Sequence, residues 1–507
     1  MLESSRVVIN TTVQYFRSIV SVIITLYTSR IVLYNLGVDD FGIYSLIAGV
    51  ITMFSFIQSS LAKTTQRYLS YHYGKRNKQI VIEIFNNSVI TQLIIALILC
   101  GLLVLLSSFV FNKMIVIPLE RLDAAKIVYY IMIGSLFCNL LSTPYLATLI
   151  SRENIIYSSV VQIIDAFLKI PIAISLIYIS DNKLEYYSLF CFFLVFLNLV
   201  LYYTYCISFY DECKHFSFRS FKISLFKDMF SFAGWNVYST MCIVGRGQGI
   251  AVLLNNFYST AINAAYSIGN QVSSQIAFLS NSLTTAINPQ IMKAEGSGDR
   301  YRMIRLSELS CKYSFLLMSM ASIPAIIYMP TILSIWLKEV PEHSVMFCRM
   351  ILLAIQIDLI SMNLSSTNQA IGNIRNFVLF IQTAKVVTLP TVYVALRLGG
   401  SPFIVMVIYV VFEFLCAVLR VGYLKYDINM SVKHYVKNVV FACLSISFIN
   451  ALICFLISKY LNGWFFLITC FISIIVTMVL ILLIGMNPDE KIIFTRLINK
   501  LRRIIKR

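Results

Sequence analysis

Apolar runs of about twenty residues recur along the whole chain, separated by short polar turns, and that length is what a helix needs to cross a bilayer. Fourteen such runs can be marked, at 11–34, 41–62, 86–111, 124–149, 155–179, 186–208, 230–254, 261–287, 312–336, 345–368, 377–397, 402–424, 438–458 and 463–485. The pattern predicts an all-α integral membrane protein. Two six-helix bundles, 1–210 and 211–430, are expected to be related by a pseudo-two-fold axis along the membrane normal. A third part, 431–507, is expected to add two transmembrane helices and a basic tail. The first run continues to Tyr34 with no small-residue cleavage site, so it reads as a retained span and not a signal peptide.

Within this pattern the polar positions repeat. Shifted by 222 positions, Ser45, Thr52, Ser59 and Gln66 fall on Ser267, Ser274, Asn281 and Asn288. A spacing of seven keeps one helix face hydrophilic. Each hairpin then closes in a charged turn, Gly74-Lys75-Arg76 in one half and Gly298-Asp299-Arg300 in the other. Six spans per repeat is an even number, so the halves share one orientation, a transporter plan with a site between parallel bundles. Ser45, Thr52, Ser59, Asn270, Ser274 and Asn281 are the candidate polar cavity positions.

Composition agrees with the pattern. Of 507 residues 59% are hydrophobic and only 13% charged, whereas soluble domains run at about 45–50% and about 25%. The net charge of +18 is not a nucleic-acid signal, because its placement follows the turns. Counting alternate segments from an inside N-terminus puts 28 Lys and Arg on one side and 6 on the other. That is the positive-inside asymmetry, with both termini cytoplasmic. Twelve cysteines without a CxxC pair and four scattered histidines argue against a disulfide framework, a metal centre or a cofactor. Extramembrane segments of roughly 25 residues at most leave no room for a soluble catalytic domain, so no enzyme is expected.

Ionisable residues inside spans cost about 2.5–3.5 kcal/mol each on insertion scales, so their positions are informative. Arg17 shares a helix face with Gln14, Ser21 and Thr28. Arg246 sits in Gly245-Arg246-Gly247-Gln248-Gly249, where three glycines are expected to loosen the helix beside a cavity. Lys385 has no acidic residue one turn away, whereas Lys169 has Asp165 four residues before it and should pair with it. Arg30 lies near the outer end of the first span, where snorkelling is the alternative. Acidic residues at depth are few, Asp165, Asp358 and Glu413, and spans 1, 2, 7 and 8 hold none in their cores. Arg17, Arg246, Lys385 and Arg30 therefore form a candidate cationic cavity for an anionic substrate. Arginine suits a diphosphate because it stays charged and bonds bidentately.

Two stretches resemble a known group. Leu36-Gly37-Val38-Asp39-Asp40-Phe41-Gly42-Ile43-Tyr44 resembles the LG-x-x-x-(F/Y)-G-x-Y turn of polysaccharide-exporting members of the MOP exporter superfamily. Asn288-Pro289, Lys293 and Gly298-Asp299-Arg300 resemble the close of that family's eighth helix. The resemblance covers about the first 320 residues, and the rest by span count. It implies a Wzx-type flippase of the bacterial inner membrane, carrying an undecaprenyl-diphosphate-linked oligosaccharide by alternating access, with membrane lipid and polysaccharide assembly proteins as partners. It further implies diphosphate contacts at Arg17 and Arg246. Lipid II flippases share the fourteen-span plan, and a multidrug antiporter of the same superfamily is the alternative with a carboxylate-lined cavity.

Overall fold

The computed structural model describes residues 2–52, 54–111, 119–214, 216–217, 220–337, 339–459, 466–486 and 490–491, and no β-strand occurs among them. Fourteen principal helices follow the predicted runs. They are α1 (Leu2–Thr52), α2 (Ser55–Gly74), α3 (Lys78–Leu105), α4 (Leu122–Ser151), α5 (Ile155–Ser175), α6 (Lys183–Phe209) and α7 (Ile223–Phe257). The others are α8 (Thr260–Gly296), α9 (Arg300–Ile327), α10 (Ser344–Met362), α11 (Arg375–Arg397), α12 (Pro402–Ile428), α13 (Phe441–Ser458) and α14 (Phe466–Leu480). Twelve segments are long and apolar enough to cross a membrane, and a bent pair, Asp40–Ile51 with Phe56–Gly74, raises this to thirteen. The chain is thus a multi-pass membrane protein. The helix left over is α8, 37 residues long but too polar to qualify. Among the fourteen expected spans, the second is set apart by its bend and the eighth by its polarity.

Those two spans are the repeat-related ones, and the backbone carries the repeat much further. Gly37, at φ 81 and ψ 170, interrupts α1; 222 positions on stands Ser259, the cap that starts α8. Arg76 and Gly298 both adopt left-handed φ, 55 and 81. Asn77 then accepts a hydrogen bond from the Ile80 amide at 3.2 Å, and Asp299 one from the Arg302 amide at 3.0 Å. A left-handed residue ends one helix and the next side chain caps the following one, so four atoms of turn chemistry set each hairpin. Helices α3 and α9 begin and end in this register, α4 and α10 begin in it, and α5 and α11 end in it. This shifts the turn correspondence read from sequence by two residues, since Gly74 matches Gly296 and Arg76 matches Gly298.

The chain divides into two compact units, Val8–Val237 and Tyr238–Arg507 with Met1–Val7. The boundary falls inside α7, later than the expected 210. In the first unit α2, α3, α4 and α6 pack around Ile47, Leu103, Tyr129 and Leu140, and around Leu69, Phe85 and Leu149. In the second, α13 and α14 pack on α9 and on each other, so the last two helices are part of this unit's core.

Helix α7 runs unbroken from Ile223 to Phe257, which overturns the expected loosening at its three glycines. Gly249 is instead a packing position, because a Cβ built on it would lie 2.6 Å from Leu389 Cδ2. Hydrogen bonds within the helix outweigh the entropy glycine adds when neighbours leave no other conformation. In the first unit, Glu212 of the one-turn helix Asp211–Lys214 pins the turn after α4. Arg152 donates to it from Nε at 2.9 Å and from Nη2 at 2.7 Å, and the Tyr73 hydroxyl donates a further bond. Burial alone would raise the Glu212 pKa, but these donors outweigh it and hold the carboxyl below its ordinary 4.5.

Gly249→Val is expected to lower stability by about 1–3 kcal/mol through overpacking, with partial recovery in Gly249→Val/Leu389→Ala, read from thermal melts of detergent-solubilised protein. A lowered carboxyl pKa stabilises above the unfolded value and loses that contribution as pH falls through the folded one. Wild-type protein should therefore lose thermal stability from this site only below about pH 4.5. Glu212→Gln should start lower at pH 7 and lack that step.

Candidate functional site

Lys385 and Glu413 lie near the middle of α11 and α12, and Asp358 lies midway along the span Ser344–Ile371 that α10 begins. This is where a lone charge costs most, so each needs a partner. The second unit provides them across helices. Lys385 Nζ lies 3.2 Å from Asp358 Oδ1 and 3.0 Å from Glu413 Oε2. Arg420 Nη1 lies 2.7 Å from Asp358 Oδ1 and donates to Ser361 Oγ at 3.2 Å. Arg246 Nη2 donates to Glu413 Oε1 at 2.5 Å and to the Tyr409 hydroxyl at 3.1 Å, with its guanidinium carbon 4.3 Å from the Tyr409 ring centre. Tyr409, Glu413 and Arg420 share one face of α12 through spacings of four and seven.

Burial makes the arrangement stringent. Arg246, Lys385 and Arg420 are 4%, 4% and 3% exposed and Glu413 is 2% exposed. On α7, α11 and α12 the cluster sits one or two turns from the apolar core of Ile250, Leu254, Val392, Leu396, Val405 and Met406. Three cations meet two carboxylates, leaving one positive charge in excess. Nε and Nη1 of Arg246 and Nε of Arg420 have no hydrogen-bond partner among the described residues, so Arg246 carries most of the spare donors. Such a group bears a desolvation cost that an anionic ligand would relieve.

The structure places the predicted site residues unequally. Arg246 and Lys385 come together, but as members of an ion-pair network and not in an acid-free cavity. Lys385 has no acidic residue one turn away on its own helix, and its partners lie instead on α10 and α12. Arg17 is half-buried in the first unit, donating from Nη1 to Gln162 and from Nη2 to Ser18 Oγ at 3.1 Å. Gln162 and Ser18 are neutral, unlike the Glu413 that holds Arg246. Arg30 is exposed on α1. Lys169 pairs with Asp165 at 2.8 Å, as their spacing predicts.

Ser45 and Ser59 are exposed on the first unit, and Asn270, Ser274 and Asn281 on the second. Ser59, Asn270 and Ser274 return hydrogen bonds to carbonyls of their own helix, at 2.9, 3.2 and 2.8 Å. Thr52 closes α1, and its side chain lies outside the described residues. The polar stripe is thus an outward-looking surface of each unit and not part of its core. Two residues counted as inner-loop charges are also relocated. Arg420 belongs to the buried network. Lys312 of α9 is 1% exposed and pairs with Glu490 at 2.8 Å. The expected spans begin at 312 and end at 424, whereas α9 starts at Arg300 and α12 runs to Ile428, which places both residues well inside helices.

Removing one member of a buried network costs most when it strands the others. Asp358→Asn leaves Arg420 without its carboxylate and is expected to destabilise by about 3–5 kcal/mol. Arg246→Gln leaves two cations on two carboxylates and should cost much less. Thermal melts of the two variants in detergent test this order, and equal losses would contradict the charge count.

No protein-family model matches this chain, and no curated protein is similar enough to it in sequence to count as a relative. In three dimensions it is similar to a MOP superfamily transporter from Pyrococcus furiosus, described as having a binding pocket of reverse polarity that suggests a different function. That likeness has 13% identity, covers 84% of this chain and 95% of the other, and has a TM-score of 0.71. A MATE protein in its bent conformation is similar at 12% identity, 84% and 96% coverage and a TM-score of 0.72. The MATE transporter ClbM in complex with Rb+ is similar at 14% identity, 85% and 95% coverage and a TM-score of 0.68. The chain therefore has the fold of the MATE and MOP superfamily transporters.

Proposed function

We propose that this protein is a flippase that moves an undecaprenyl-diphosphate-linked oligosaccharide across the bacterial inner membrane by alternating access, with both termini in the cytoplasm. The observation that carries this reading is the buried excess of positive charge at Arg246. A transporter fold gives a membrane path, and the surplus cation gives that path a preference for an anionic head group. Two guanidinium N–H groups without partners match the acceptor-only oxygens of a diphosphate, which bonds arginine bidentately. Arg17, held by neutral groups, is a second anion contact that needs no carboxylate to be displaced. The exposed Ser and Asn stripe of α8, with Ser45 and Ser59, supplies hydrogen bonds for sugar hydroxyls. With the buried Arg420 and Lys312 left out of the 28, the cations still divide 26 to 6, which supports the orientation.

Drug export is the second reading, favoured by likeness to MATE proteins. A cationic drug wants a free carboxylate at depth. Asp358 and Glu413 are each held by two cations, which favours the anionic substrate.

Reconstituted into vesicles with a labelled polyprenyl-diphosphate oligosaccharide, the protein is expected to make that lipid accessible to an external sugar-modifying enzyme. Arg246→Ala and Arg17→Ala should each slow transfer by about tenfold or more, the loss of one charge-assisted contact. Ethidium efflux without lipid transfer would replace this reading with drug export.

A further inference from the structure

Arg246 is a cation the network can release without stranding a charge, and the one that keeps two donors without partners. With it, three cations face two carboxylates; without it, Lys385 and Arg420 face Asp358 and Glu413, two against two. Lys385 already lies within 3.0 Å of Glu413 and 3.2 Å of Asp358, so Glu413 keeps a cationic partner if Arg246 turns away. Arg420 offers a ligand less, since only its Nε lacks a partner among the described residues. Arg420 bonds Asp358 and Ser361, and Lys385 alone bridges the two acids.

The helix beside Arg246 is also open. A Cβ built at Gly245 or at Gly247 meets no atom within 4 Å, so both flanks of the arginine lack side chains and leave space against the backbone. A bulky anion needs that kind of close approach. Arg246 meanwhile keeps Nε and Nη1 unpartnered, while Glu413 and Tyr409 occupy only Nη2.

We infer that Glu413 is an internal stand-in for the substrate's phosphate: it parks the Arg246 arm when no substrate is bound and passes to Lys385 when a diphosphate takes the arm. This rests on the flippase reading and adds a specificity residue to it. Lys385 becomes the positioning residue that receives the displaced carboxylate, and no bond other than hydrogen bonds and ion pairs changes. The exchange is charge-neutral within the network. A neutral or cationic molecule cannot drive it, because neither can replace the carboxylate on Arg246.

Glu413 and its neighbour Lys385 give variants of opposite sign. Glu413→Gln removes the stand-in and should bind diphosphate about fivefold to tenfold more tightly. Lys385→Met leaves Glu413 with Arg246 alone, locks the arm, and should weaken binding by tenfold or more although Arg246 is intact. Isothermal titration of the full chain in detergent, with farnesyl diphosphate as probe, reads both effects. Inorganic pyrophosphate in a parallel titration tells whether the lipid is needed, and thermal melts check that both variants fold. Circular dichroism of Arg246→Gln and its loss of farnesyl diphosphate binding provide the reference. Diphosphate binding that depends on Arg246 but changes in neither other variant would overturn the stand-in role and leave the flippase reading in place. Absence of diphosphate binding in both wild type and Glu413→Gln would overturn the two together.

Discussion

An ionised side chain halfway along a membrane helix has to find a counter-charge that its own helix rarely supplies, and the second unit is organised around that requirement. Asp358, Lys385 and Glu413 sit on three different helices at similar depth, and Arg246 and Arg420 close the set. Each group alone would cost about 2.5–3.5 kcal/mol on insertion. Together they hold α7, α10, α11 and α12 in one register, since sliding a helix by one residue would unpair its charge. Ion pairs of this kind add specificity of arrangement more readily than net stability. The network also determines what the unit offers a ligand, because it has a surplus of one positive charge and Arg246 keeps two donors spare.

The serines and asparagines of α1, α2 and α8 meet the same constraint differently. They carry no charge, so a bond to a carbonyl three or four residues back suffices, as at Ser59, Asn270 and Ser274. The side chain remains exposed, and its cost against lipid is modest compared with that of an ion. Helices that accumulate many such residues become poor lipid partners. That is why α8 falls short of a spanning composition although its length is ample. A polar surface at that depth is tolerated where it meets protein or water, which is the setting a transporter of hydrophilic head groups provides.

Turn chemistry explains how the duplicated plan survives in a chain whose halves share little else. The left-handed residue and the capping Asn or Asp that follows it act locally, so they hold whatever the surrounding side chains are. In one half the left-handed position is filled by Arg76 and in the other by Gly298. Identity is not kept, but the backbone conformation is. Polar spacing reveals the repeat over one hairpin; the helix limits extend it through five helices of each half.

Length and periodicity determined the all-helical membrane fold, the fourteen segments and the existence of the repeat, because spanning length and helix faces are properties of contiguous residues. The Asp165–Lys169 pair was legible for the same reason: four residues make one turn. Sequence also singled out Arg246 and Lys385 as charges at depth. Only the tertiary structure decided what they touch. Lys385 is 27 positions from Asp358 and 28 from Glu413, and Arg246 is 167 from Glu413. No periodicity links residues so far apart, and helix packing alone brings them within hydrogen-bond range. The packing role of Gly249 was decided in the same way, by Leu389 reaching it from another helix.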